Sequence, residues 1–317
     1  MSLKTYVIDG ERGRLLTESK ENDDTASLSP SCLERFRENG YCYKKDDLLP
    51  DDEVEKERQD LVHHIYLLAH NQSLYQAPID RLNQVLDVGT GTGIWAINFA
   101  DRHPGAKVVG VDWIPRQPYW VPPNLEFEVD DLEKPWTWPA ETFDYIHLRE
   151  PVFKNMAHIT QQMYKHTKPG GYVELQASML PVCSDDSDEI KSLRKWLTEL
   201  RDGSEKLGRP YQTEDGCRRL LEDAGFEGIV SGRKEVPIGP RAQDPALEEL
   251  GEYATVAFDH FLEHVSMATL TRAFGMSEQE VIVFLAKVRA ECRANSSYYT
   301  IFYVYGSKPE GPGAGGN

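Results

Sequence analysis

The chain has 317 residues, with 52 acidic against 35 basic side chains, a formal net charge of −17 and 40% hydrophobic residues. That apolar share supplies a sizeable core and excludes general disorder, while so acidic a surface repels phosphate backbones and argues against nucleic acid as a partner. The five cysteines (Cys32, Cys42, Cys183, Cys217 and Cys292) are scattered without a CxxC pair, which excludes zinc ribbons and disulfide frameworks.

Residues 1–50 read as polar and irregular, with a run rich in Ser, Asp, Glu and Asn from Glu18 to Ser31. The first residues, Met1 to Arg14, lack the apolar stretch of a signal peptide, and no apolar run approaches the roughly 20 residues that span a bilayer. A cytoplasmic protein without a membrane partner is expected. Helical spacing starts near Asp51, the expected N-cap, where Val54, Leu61, Ile65 and Leu68 form an apolar stripe.

From Val85 the pattern changes to short apolar strands alternating with helices. Strands are predicted over 85–88, 107–112, 125–129, 143–148 and 172–177, with helices over 93–102 and near 158–166. Prolines 115, 118, 122 and 123 leave no room for a long helix between the second and third strands. Such alternation predicts an α/β fold whose parallel sheet carries helices on both faces. Amphipathic helices follow over 187–207 and 213–224, the latter closed by Gly225. After a strand over 226–236, a long helix carries Leu247, Leu250, Ala254, Ala257, Phe258, Phe261, Leu262 and Val265. Ser277 and Glu280 form a capping box for a last helix, and Tyr298–Tyr305 is the final strand.

The segment from Asp87 to Trp95 follows a strand and opens a helix. Gly89, Gly91 and Gly93, with Thr90 between the first two, let the backbone turn sharply and bring main-chain N–H groups to a ligand. The spacing is G-x-G-x-G, and Ile94 stands where a dinucleotide fold would place its third glycine, which disfavours pyrophosphate. Asp87 places a carboxylate at the strand end. Asp112, with Trp113 beside it, ends the next strand, where a carboxylate can accept both ribose hydroxyls. Asp130 and Asp131 end the third strand, offering a carboxylate to an adenine amine, and Leu132 offers an apolar neighbour to its ring. Carboxylates on successive strand ends suit a nucleoside bearing a sulfonium and an amine, the chemistry of S-adenosylmethionine.

The run from Val85 to Gly171 resembles the binding core of class I S-adenosylmethionine-dependent methyltransferases, and more narrowly the fungal LaeA-like group. Four stretches carry the likeness: Val85–Ala96, Val109–Asp112, Phe143–Arg149 and Lys168–Glu174. Leu221–Phe226 fits too. The resemblance implies a Rossmann-like seven-stranded sheet with its last strand antiparallel, the N-terminal and inserted helices forming a lid. It also implies S-adenosylmethionine as cofactor and a small-molecule acceptor in fungal secondary metabolism. The alternatives are a regulator acting through protein partners in the nucleus, and a related enzyme that does not transfer methyl. One departure stands out: where the group carries Gly-Ser and Asp-Trp after the fourth strand, this chain has Glu150 to Met156.

The expected organisation is an irregular segment over 1–50, a binding core over 51–180, a helical lid and acceptor region with completing strands over 181–308, and a disordered tail over 309–317. Methyl transfer needs alignment and exclusion of water more than a catalytic triad. His147 is the first candidate for a base, with Arg149 and Glu150 beside it at the mouth of the crevice. Tyr119, Trp120 and aromatics of the long helix are candidate walls for the acceptor. His260-Phe261-Leu262-Glu263-His264 matches the HxxEH pattern of inverted zinc peptidases, but Phe261, Leu262 and Val265 assign that face to the core, so no metal site is expected.

Overall fold

A computed structural model describes residues 7–9, 14–16, 35–44, 47–80, 82–183, 190–238, 245–295 and 297–310. The Glu18–Ser31 run and the glycine-rich end of the tail lie outside them. In chain order the first elements are β1 (Val7–Asp9), β2 (Arg14–Leu16), β3 (Arg35–Glu38), β4 (Tyr41–Lys44) and α1 (Glu53–Ala69). The alternating region comprises β5 (Gln84–Val88), α2 (Ile94–Arg102), β6 (Lys107–Asp112), β7 (Leu125–Val129), β8 (Phe143–Arg149), α3 (Met156–His166) and β9 (Thr167–Ser178). Then come β10 (Val182–Cys183), α4 (Lys191–Lys206), α5 (Glu214–Ala224), β11 (Glu227–Ile238), α6 (Pro245–Phe274), α7 (Glu278–Ala294) and β12 (Ser297–Ser307).

The central strands run in the order β7-β6-β5-β8-β9-β12-β11, the seven-stranded sheet expected, and β1, β2 and β10 extend it to ten. β5, β6, β7, β8 and β9 pair in parallel, while β12 is antiparallel to both β9 and β11. The chain leaves β5 toward β6 and β7, then returns to β8 on the other side of β5. That reversal opens a crevice beyond the carboxyl ends of β5 and β8.

Period-two alternation explains the two covered faces. Leu86, Val88, Val109 and Val111 face one side and pack with Met156, Ile159 and Met163 of α3 and Cys217 and Leu221 of α5. Val85 and Val108 face the other, against Trp95, Ala96, Phe99 and Ala100 of α2. A separate core joins the lid helices: Leu193, Trp196 and Leu200 of α4, Phe258, Leu262 and Val265 of α6, and Val281, Leu285 and Val288 of α7. α1 lies along α6, burying Ile65 and Tyr66 against Leu250, Ala254 and Ala257.

Several local expectations change. Residues 35–44, read as irregular, form the β3–β4 hairpin. The cap of α1 is Asp52, which accepts from Glu55 N, because the Asp51 carboxylate is taken by Arg116 at 2.9 Å and Arg35 at 2.8 Å. Val54 is exposed rather than part of the buried stripe. The Lys168–Gly171 turn is absorbed into β9, where Gly170 N–H donates to Lys308 O. The Gly225 cap (φ 103°) and the Ser277–Glu280 capping box form as expected.

Phe127 of β7 sets the height of the crevice floor. Its ring lies under Gly93 and Gly110; a Cβ on Gly110 would meet Phe127 Cε1 at 2.6 Å and Thr90 Oγ1 at 2.9 Å. Overpacking a closed core costs about 1–3 kcal/mol. Gly110→Ala is expected to lose about that much stability in urea denaturation, and an unchanged midpoint would show that the ring yields freely.

Candidate functional site

A cleft of about 360 Å³ lies at the carboxyl ends of β5, β6, β7 and β8. Gly89, Thr90 and Gly91 border it, as do Asp87, Asp112, Trp113 and, on the far side, Asp130, Asp131 and Leu132. The loop's three glycines all take left-handed backbone, with φ of 67°, 58° and 82° at 89, 91 and 93, a region that side chains with Cβ resist. Gly93 alone of the expected binding residues does not border the cleft. Its φ turns the chain into α2, and the space a Cβ would occupy is filled by Phe127.

Beneath the loop sits a buried polar stack. Asp87 Oδ2 accepts from Thr90 Oγ1 at 2.6 Å, and Asp87 Oδ1 is 2.8 Å from His147 Nδ1. The His147 ring is stacked on Trp95, centroids 3.8 Å apart and 4° from parallel. Burial pushes this imidazole below its ordinary pKa, opposed by Asp87, so the neutral ring donates its Nδ1–H to the carboxylate. His147 has no exposed surface. It therefore supports Asp87 from below and is not placed as a general base, a correction that follows from the enclosing strands and the Trp95 ring.

Asp112 holds the loop from the neighbouring strand. Its Oδ2 accepts from Gly91 N–H and its Oδ1 from Ile114 N–H, both at 2.9 Å. Burial raises its pKa, against the pull of Arg116. Each oxygen keeps a lone pair for a diol. Asp130 Oδ1 accepts from Asp131 N–H at 2.8 Å, and burial raises its pKa too. Asp131 is half-exposed and lies 3.2 Å from Lys134.

Of the three residues at the end of β8, Arg149 is a cross-brace. Its Nε donates to Gln176 Oε1 at 3.0 Å, its Nη1 to His63 Nδ1 at 2.9 Å, and its guanidinium lies 4.6 Å from the centre of the Tyr66 ring. His63 must be neutral to accept that bond, and burial with Arg149 lowers its pKa to about 2. Glu150 has a left-handed backbone (φ 49°), strained for a residue with Cβ. Its Oε1 accepts from Tyr66 OH at 2.9 Å and its Oε2 from Ser178 Oγ at 3.0 Å.

Glu150 marks the join between the cleft and a second, inner chamber of about 150 Å³. The chamber is mostly apolar, walled by Leu48, Met179, Leu180, Phe258, Phe261 and Tyr299. The aromatics of α6 thus contribute a wall, but Tyr119 and Trp120 do not. They are 58% and 79% exposed and border neither cavity. In the HxxEH pattern the His260 and His264 rings lie edge to face with centroids 6.2 Å apart. His264 Nδ1 meets Glu55 at 2.9 Å, whereas Glu263 turns to Tyr41 and Arg289.

Sequence reasoning missed the residues that arrive from outside the sheet. Arg58, Gln59, Val62 and His63 of α1 border the cleft, and Gln59 Oε1 would lie 2.6 Å from a Cβ on Gly91. Thr92 Oγ1 donates to Asp60 at 2.7 Å, fixing α1 to the loop. The strap over 47–51 adds Asp47 and Leu49, held by the Asp51–Arg116 ion pair and by Arg272 Nη1, which donates to Asp47 O at 2.5 Å. Burial lifts the Asp47 carboxyl to about 6 against the pull of Arg209 and Arg116.

This donor set fits S-adenosylmethionine. The left-handed turn at Gly91 (φ 58°) favours glycine and brings its backbone to the cleft, carboxylates border the cleft for the diol and the cationic centres, and Leu132 supplies an apolar neighbour for adenine.

Residues 36–231 match the methyltransferase-domain family. The methyltransferase pytC of Aspergillus terreus is 33% identical over 298 residues, covering 90% of this chain and 91% of its own. The secondary metabolism regulator LAE1 of Cochliobolus heterostrophus is 37% identical over 249 residues, 75% of this chain and 79% of its own. Among solved structures, Haemonchus contortus phosphoethanolamine N-methyltransferase 2 with S-adenosyl-L-methionine aligns at a TM-score of 0.45 and 14% identity, over 80% of this chain and 53% of that one. The chain belongs to the methyltransferase-domain family, within its fungal LaeA-like group, and is an S-adenosylmethionine-dependent methyltransferase.

Proposed function

We propose that the protein methylates a small, largely apolar molecule of fungal secondary metabolism, seated in the inner chamber. The observation that carries this reading is the shared wall: Asp47, Leu49, Val62, Glu150, Pro151 and Val152 border both the chamber and the cofactor cleft. An apolar cavity that opens beside a methyl donor suits a compact organic acceptor better than an extended chain.

S-Adenosylmethionine supplies a methyl group on a cationic sulfur. The glycine loop and Asp112 fix the nucleoside, while α1 and the 47–51 strap exclude water from above. Of His147, Arg149 and Glu150, only Glu150 borders the chamber. In this reading its carboxylate, held by Tyr66 and Ser178, takes the proton from a hydroxyl or amine acceptor.

The likeness to a named regulator favours a second reading, in which the protein acts through protein partners. Deletion separates the two, since an enzyme's loss removes one product family and a regulator's loss removes many.

Labelled S-adenosylmethionine incubated with the protein and a fungal extract is expected to mark an organic-soluble small molecule; label confined to protein would overturn the acceptor assignment. Ala257→Trp, which fills the chamber, is expected to abolish that labelling while cofactor-product affinity stays within about twofold. Asp112→Ala is expected to weaken S-adenosylhomocysteine binding at least ~10-fold by calorimetry, the scale of losing a charged hydrogen-bond partner. Asp47 carries a pH signature. Because its folded pKa is raised to about 6, the folded state binds more protons than the unfolded chain below that value, so its contribution to stability falls as pH rises from the ordinary carboxylate range through about 6. Asp47→Asn is expected to gain stability over wild type in urea at pH 7.5 and to lose that advantage at pH 4.

A further inference from the structure

The HxxEH stretch finds its use in a different relay. His264 of α6 donates to Glu55 Oε2 at 2.9 Å, and the Glu55 side chain is fully buried. Arg58 grips the same carboxylate with Nε at 2.8 Å and Nη2 at 2.6 Å, and Gln59 Nε2 adds a bond of 3.1 Å. Burial alone would raise the Glu55 pKa, but Arg58 and these hydrogen bonds bring it down to about 2, so it stays a carboxylate. This spends the side edge of the guanidinium. The end edge, formed by Nη1 and the second Nη2 proton, has no hydrogen-bond partner among the described residues, and Arg58 borders both cavities. A guanidinium clamped on one edge and offering the other to a cleft is pre-organised to hold a carboxylate through two parallel bonds.

Two molecules in this site can bring a carboxylate: the methionyl tail of the cofactor, and an acidic acceptor. The position of α1 favours the tail. Gln59, the next residue, packs on Gly91, and Asp60 binds Thr92, so Arg58 stands beside the glycine loop. The tail is a zwitterion. Asp87 suits its amine, but the negative charge of Asp87, Asp112 and Asp130 around the cleft repels its carboxylate, which needs a cation of its own. Arg116 is committed to Asp51, Arg149 to Gln176 and His63, and Arg209 to Val152 O, and Lys154 is engaged as well.

We infer that Arg58 is the receptor for the methionyl carboxylate of the cofactor, and that Glu55 and His264 are positioning residues that aim it. The inference rests on the cofactor cleft and is independent of what occupies the inner chamber. It also ties the two cavities together, since His264 lies on the helix that presents Phe258 and Phe261 to the chamber.

The test compares two ligands by calorimetry on the full chain: S-adenosylhomocysteine, which has the tail, and 5′-methylthioadenosine, which lacks it. Wild type is expected to prefer the former. Arg58→Gln is expected to weaken S-adenosylhomocysteine binding by ~10- to 100-fold, the range for a charge-assisted hydrogen-bonded pair, while methylthioadenosine affinity stays within about twofold. Retained methylthioadenosine binding is also the control for an intact fold. Arg58→Lys, which keeps the charge beside Glu55 without the planar fork, is expected to fall between, and His264→Asn to reduce the preference several-fold with methylthioadenosine unaffected. The inference is overturned if wild type shows no preference, if Arg58→Gln keeps it, or if both ligands weaken equally in both Arg58 variants. Failure of wild type to bind either ligand would instead overturn the cofactor cleft itself.

Discussion

The structure depends on a backbone that turns left-handed three times within five residues at the end of β5. Gly89, Gly91 and Gly93 make that turn, but glycine only permits it. What holds it is the polar stack below and the carboxylate beside it. Thr90 is bonded to Asp87, Asp87 to His147, and His147 lies flat on Trp95, the second residue of the helix that the loop opens. Asp112 takes the Gly91 N–H from the adjacent strand. These bonds shape the loop in advance of binding, while His147 Nε2 stays buried with no hydrogen-bond partner among the described residues.

A second apolar core, assembled from α4, α6 and α7, gives the site its depth. These helices bury their own stripes against one another, with Ile238 of β11 and Tyr299 of β12 packed on the same core, and so form a wall. Between that wall and the sheet lies the inner chamber, and α1 bridges the gap: Ile65 and Tyr66 face α6, while Arg58, Gln59 and His63 face the cleft. One helix thus senses both cavities. The 47–51 strap closes the remaining side through the buried Asp51–Arg116 pair.

The electrostatics follow the same economy. The chain is strongly acidic, yet among the cations that border the cleft Arg116 holds the strap, Arg149 braces β8 to β9 and α1, Arg209 donates to Val152 O, and Arg58 is turned outward by a carboxylate behind it. Burying such pairs gives geometry more than net stability, because desolvation offsets much of the Coulomb attraction.

By itself the sequence determined the sheet, the glycine loop and the carboxylates on successive strand ends. These are local features: period-two apolar runs, a G-x-G-x-G turn, and acids adjoining strands, each legible within a few residues. Local spacing also placed the Gly225 cap and the Ser277 capping box. It could not separate His147 from Glu150, because their difference is burial. His147 lies flat against the Trp95 ring and Glu150 borders the chamber, and neighbours far along the chain set that difference. Arg58 and Asp47 were illegible for the same reason. On a helix face or in a strap, a charged side chain looks solvated until another element covers it. Only the docking of α1 on the glycine loop and α6, and of the strap on Arg116, turned those solvent-like positions into walls of a site.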